Sequence, residues 1–237
     1  MLNIRTIFRR EMQSYFNSPM AYIFLVIFAV VSGYFFTNTF FLFGQSDLRV
    51  LFDIIPLVYL FFIPAVSMGL IARENNIGTM ETISTLPLNT YEFVLGKFLA
   101  GFCLILLGLA ATSIHFFTLV SVGTNVDFGA IFSGYLGLAL MGATFTAIGT
   151  YASSVTGNQV VAFIIGVFLV LVFYMLDKTL VFVPHSIAGI VQLLAVDYHL
   201  SNISRGVIDS RNLIYFFSMI GFFIFLTIKT LEVRRWK

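Results

Sequence analysis

Few residues in this chain of 237 can do chemistry, and the densest group is the stretch Arg73-Glu74-Asn75-Asn76-Ile77-Gly78-Thr79-Met80-Glu81-Thr82. It offers two carboxylates and a guanidinium but no nucleophile beside a base, so its residue types suit recognition of a partner better than catalysis. Gly96-Lys97 in "VLGKF" has the ending of a phosphate-binding loop. Tyr91 takes the place of the earlier glycine, however, and no Ser or Thr follows the lysine, so ATP binding by this chain is not expected. His115 stands alone within an apolar run, where a histidine serves hydrogen-bonded packing more readily than a proton relay. His185 and His199 lie too far apart to argue for a metal and read as solvated loop residues. Cys103, the single cysteine, has no partner for a disulfide or a cysteine-based metal site. Neither a catalytic residue nor a cofactor held by this chain is expected.

The elements that carry these residues are set by hydropathy. With 59% hydrophobic residues, 10% charged residues and a mean hydropathy of +0.98, the chain lies well outside the range of soluble domains. Six apolar runs, Met20 to Leu42, Leu51 to Ile71, Val94 to Val122, Phe128 to Ala152, Gln159 to Leu176 and Leu213 to Ile228, are read as helices crossing a bilayer. The first is longer than the apolar core of a signal peptide and is read as a retained helix. Pro56 and Pro64 predict a kink in the second, tolerated because neighbouring groups satisfy the freed carbonyls. In the fourth, Ala139, Ala143 and Ala147 recur beside Gly134, Gly142 and Gly149, which predicts close helix contact, within one subunit or between two. The piece "SIAGIVQLLAV" between the fifth and sixth runs has the length of a dipping or interfacial helix, with Pro184 before it and Ser186 as a candidate cap.

Charge orients these helices, because Lys and Arg near the spans are retained on the cytoplasmic side. With both ends of the chain inside, Arg5, Arg9, Arg10, Arg73, Lys97, Lys229, Arg234, Arg235 and Lys237 fall inside, against Arg49, Lys178, Arg205 and Arg211 outside. Every Glu then falls inside and every Asp outside, and the stretch after Arg73 is cytoplasmic. Ahead of the first run, Ile4, Phe8, Met12 and Tyr15 form one stripe at helical spacing, and Arg5, Arg9 and Arg10 favour anionic headgroups. Such a helix lies on the inner membrane surface as an anchor. The fold expected is an all-α membrane protein. Its parts are an interfacial helix over 1–19, a six-helix transmembrane domain over 20–229 and a basic cytoplasmic tail over 230–237. Within the domain lie a cytoplasmic loop over 72–93 and an outer dipping segment over 177–212.

The loop between the second and third spans, about 22 residues, is longer than a simple turn needs. "RENNIGTMETISTL" has Ile77, Met80, Ile83 and Leu86 at spacing three, with Glu74 and Glu81 on another side. Pro87 ends it, and Asn89 or Thr90 caps the next helix. A surface helix with an apolar stripe and exposed acids docks into a groove on a soluble partner, and a plain connection along the membrane is the alternative.

The run Glu74, Gly78, Thr79, Glu81, Pro87 and then Gly96-Lys97 resembles the cytoplasmic signature of ABC-2 permeases, the membrane subunits of type-2 ABC exporters. Met80 stands where that family often has leucine. The segments "FRREMQSYFNSPMAYIF", "SSVTGNQVVAFI" and "LSNISRGVIDSRNLIYFFSMIGFFIFLT" are similar to the gliding-motility branch of the family, so the likeness covers essentially the whole chain. The resemblance implies a permease of the bacterial inner membrane driven by a separate ABC ATPase subunit that binds ATP and magnesium, with Glu74 to Pro87 as the coupling helix. It also implies a homodimer, or a heterodimer with a second permease subunit carrying an extracytoplasmic domain. Membrane lipid is an expected partner and nucleic acid is not. A membrane scaffold that holds a soluble partner by the same loop is the alternative function.

Overall fold

The structure, a computed structural model, describes residues 2–42, 47–78, 88–123 and 126–235. In chain order the helices are α1 (Leu2–Phe16), α2 (Pro19–Thr37, continued by a π-helical turn over Asn38–Leu42), α3 (Arg49–Ser67) and α4 (Gly69–Ile77). They are followed by α5 (Thr90–Ala111), α6 (Ser113–Val122), α7 (Phe128–Val155) and α8 (Gln159–Thr179), and then by α9 (His185–Leu194), α10 (Val196–Ser204) and α11 (Ser210–Arg235). Among the described residues six helices are long and apolar enough to cross a membrane: Pro19–Phe41, Arg49–Ile77, Thr90–Val122, Phe128–Val155, Gln159–Phe182 and Ser210–Arg234. The chain is a multi-pass membrane protein.

Local chemistry starts these helices where the sequence places the signals. Pro19 occupies the first turn of α2, where a missing N–H is harmless. At α5, Asn89 and Glu92 form a reciprocal capping box. The Asp127 carboxylate accepts from the Gly129 and Ala130 N–H groups at the start of α7, and Asn158 does the same for Val160 and Val161 at α8.

The fourth span, α7, is the most enclosed of the six, and its small residues explain why. A Cβ at Gly134 would run into the Phe52 ring, one at Gly142 into Ile105, and one at Gly149 into Ser67, so α3 and α5 lie directly against its backbone. The small-residue pattern therefore serves packing within the chain. The first, fifth and sixth spans keep most of their surface outside the bundle, with Val30, Phe168 and Phe217 among their exposed apolar side chains.

Two expectations, Ser186 as the cap after Pro184 and a solvated His199, are revised, and the second span gains a located break. The second span runs through Pro56 and Pro64 as helix, and its interruption falls just after them, at Met68. There the Ser153 hydroxyl of α7 accepts from the Ile71 and Ala72 N–H groups at 3.0 and 2.9 Å and donates to the Met68 carbonyl at 2.7 Å. A side chain from another helix thus satisfies donors that the broken turn leaves over. Between the fifth and sixth spans, α9 begins at His185 with Pro184 in the cap position, and Ile187, Ile190 and Leu193 on it are exposed. The buried partner is α10, whose Leu200 and Ile203 pack on Gly137 of α7. His199 is not a solvated loop residue. It is buried, stacks on Tyr215 with ring centroids 4.0 Å apart, and has its two ring nitrogens beside the Asn212 side-chain oxygen (2.7 Å) and the Leu193 carbonyl (3.2 Å).

Candidate functional site

The charged residues converge at one end of the bundle, where α1, the end of α4 and the start of α5 meet. The site begins with a glycine. Gly96 lies so close to α1 that a Cβ there would sit 2.8 Å from Ile7 side-chain atoms, and this close approach sets α1 directly against the first turns of α5. One turn on from Ile7, α1 presents Glu11 to the next residue of α5, Lys97.

Lys97 has no exposed surface, while Glu11 and Glu74 are 3% and 5% exposed. The Lys97 ammonium donates to Glu11 at 3.0 Å and lies 3.1 Å from Glu74, with the Phe93 ring face 5.0 Å from it. Two guanidiniums close the group from the outside. Arg10 pairs with Glu74 and, at 3.3 Å, with Glu11; Arg73 lies 3.8 Å from Glu11 and donates to Ser14 at 3.1 Å. Tyr15, one turn after Glu11, donates its hydroxyl to the Val66 carbonyl at 2.9 Å. Burial, with the Glu11 carboxylate adding to it, pushes the Tyr15 pKa far above its ordinary value, so the hydroxyl remains a donor.

Removing an ion from water costs several kcal/mol, and only good geometry with several partners offsets that. Here each buried carboxylate meets more than one cation, and Lys97 meets two carboxylates and a ring. The arrangement performs no bond-making chemistry. It fixes α1, α4 and α5 relative to one another by a contact that tolerates little displacement, since the pairs lie at about 3 Å in a region screened from water. Among the described residues no group of three or more His, Cys, Asp or Glu side chains could hold a metal ion.

Each residue singled out in the sequence can now be placed. Glu74 faces the interior of the cluster and is not an exposed acid. Its helix ends at Ile77, where Gly78 adopts φ +76, the left-handed conformation in which glycine terminates a helix. Thr79, Glu81 and Pro87 lie outside the described residues. The three anchor arginines divide: Arg10 is drawn into the cluster, whereas Arg5 and Arg9 are exposed and meet no carboxylate among the described residues. His115 has its Nε2 3.4 Å from the Ser32 hydroxyl and stacks on Phe36 at 4.7 Å, a packing role.

Sequence reasoning missed Glu11 and placed Lys97 only among the basic residues of the inner side, without a partner. A signal for Glu11 exists: it shares a helical face with Ile7 and Tyr15 at spacing four, and an acid on a face that is otherwise buried needs a cation. At the level of the whole chain, a family model described as "ABC-2 family transporter protein" matches residues 5–220. No curated protein shows a significant match.

Proposed function

Because the chain belongs to the ABC-2 family of transporter proteins, and is the membrane permease component of such a transporter, we propose that its charged end is where motion enters from a separate ABC ATPase. Permeases of this family lack ATPase activity themselves, and family membership implies an ABC ATPase as partner. In this reading ATP and magnesium bind on that subunit. The segment from Glu74 to Pro87 forms the contact with it, and closure of the ATPase pair is converted into displacement of the second and third spans.

The observation that carries the proposal is the Glu11–Lys97–Glu74 group. It joins the helix leading into the segment, α4, to the helix leading out of it, α5, and to α1. A push delivered to the segment reaches both spans at once through such a group, because its pairs cannot slip without exposing an uncompensated buried charge. The excess of Arg and Lys at this end supports a cytoplasmic placement, in a bacterial inner membrane. Resemblance of "SRGVIDSRNLIYF" to the gliding-motility branch supports a role in export or in mechanical transmission linked to motility. It supports a dimer as well, with a second copy or with a permease subunit carrying an extracytoplasmic domain. The buried packing of α10 on α7 supports reading 177–212 as a segment that dips into the outer face.

The test is cross-linking in the assembled transporter. In a Cys103→Ser background, Thr79→Cys and Glu81→Cys are expected to cross-link to the ATPase subunit, with a yield that changes when ATP is hydrolysed. Active complex without cross-links from either position would refute the segment as the contact.

A further inference from the structure

We infer that the seam between α1 and α5 is a binding site for one anionic phospholipid, with Arg5 at its headgroup end. This goes beyond the coupling role and does not depend on it.

A cavity of about 540 Å³ lies between the two helices, lined on α1 by Ile4, Arg5 and Phe8 and on α5 by Leu99, Phe102, Cys103 and Leu106. The α5 residues follow the spacing of a single helix face, so the seam is a straight apolar track. It continues: Leu106 also lines a second cavity of about 530 Å³ between the third and fourth spans, walled by Ala110, Phe116 and Phe132. Each volume is within the range of sites that hold a sizeable organic ligand. Among the described residues that line the track the charged one is Arg5, at its end. An elongated ligand with an apolar tail and an anionic head matches that distribution, and a phospholipid is such a ligand and surrounds a membrane-spanning helix on every side.

The charge assignment rests on Arg5, the α1 arginine that lines the cavity. Arg10 and Arg73 are held by Glu11 and Glu74, and Glu92 accepts from Asn3 of α1 and from the Asn89 backbone. Arg5 and Arg9, one helical turn apart on α1, have no carboxylate among the described residues and are exposed. A phosphate there gains charge-assisted hydrogen bonds without competing with an internal acid. A zwitterionic lipid of equal chain length gains less, because its own cation lies beside its phosphate.

Native mass spectrometry of the full chain, incubated with equal amounts of phosphatidylglycerol and phosphatidylcholine of the same acyl chains, tests the assignment. The singly lipid-bound species is expected to favour phosphatidylglycerol by about fivefold, the factor one well-placed basic residue supplies. Arg5→Gln should bring the ratio close to one, and Cys103→Trp, which fills the track, should reduce both bound species. A preference that survives Arg5→Gln, or lipid binding that survives Cys103→Trp, overturns the site. So does a lipid-free dimer that dissociates in Cys103→Trp, which would make the seam an interface between copies. If Cys103→Trp does not fold, alkylation of the wild-type Cys103 thiol by N-ethylmaleimide in nanodiscs decides. The rate should fall several-fold when phosphatidylglycerol replaces part of the phosphatidylcholine, and an unchanged rate counts against the proposal.

Discussion

Lys97 shows what a single buried charge demands. Its ammonium has no exposed surface and is held by Glu11 and Glu74, so deleting it leaves two buried carboxylates with only the partly exposed Arg10 and Arg73 as counter-ions. Lys97→Met is expected to lower stability by about 3–5 kcal/mol, read from chemical unfolding in detergent. Neutralising both acids as well, in Glu11→Gln/Glu74→Gln/Lys97→Met, should restore most of that loss; losses that simply add would mean the three residues do not act as one group. The sequence shows a lysine entering an apolar run, and a lysine there has the reach to seek the surface. It does not show that Glu11, 86 positions earlier, lies 3.0 Å away. That proximity comes from Gly96, which admits α1 to contact; the α1 pattern marks Glu11 as an acid in need of a cation and does not say which cation meets it.

Elements were the most legible level. Hydropathy located all six spans, the cap at Asn89 and the small residues of α7 did what their types predict, and the family match over residues 5–220 takes in the first five spans and the start of the sixth. Where an element breaks was less legible. Proline is the obvious suspect, yet Pro56 and Pro64 sit inside helix, and the break waits until Met68, where Ser153 of another span supplies the missing acceptor. An acceptor that arrives from 82 residues away cannot be read from local propensity. Ser153→Ala should cost about 1–3 kcal/mol for each backbone N–H it strands. Hydrogen exchange provides the check: the Ile71 and Ala72 amides should exchange faster in the variant while those of α7 keep their protection, and equal protection of Ile71 and Ala72 in both proteins would rule this role out.

For the whole molecule, α1, the end of α4, the start of α5, the α7–α8 link and the end of α11 share one face. Asn75 reaches the Thr156 carbonyl there, and Arg234 bonds the Val155 carbonyl. The bias of Arg and Lys predicts that this face is cytoplasmic. With Cys103 replaced by serine, a cysteine at Glu232 should react with a membrane-impermeant maleimide in inside-out vesicles and not in right-side-out ones. The reverse result would invert the molecule in the membrane. Orientation, unlike span number, was legible only as a sum over many weak preferences, which is why it needs this separate measurement.

The pairing of Glu11 with Lys97 also sets an order of events. During synthesis Glu11 is complete long before Lys97 exists, and the two intervening spans must enter the membrane while its carboxylate is still in water. Closing a loop of that length is entropically slow to begin and is rewarded only when the third span arrives. Until then α1 has no counter-ion on α5 and no glycine to rest on. Of the helices that meet at the cluster, α1 precedes α4 and α5; it gains Glu74 and Arg73 with the second span and Lys97 and Gly96 only with the third. A chain halted before residue 97 would therefore lack the most deeply buried of its pairs, and α1 is an early element with a late latch.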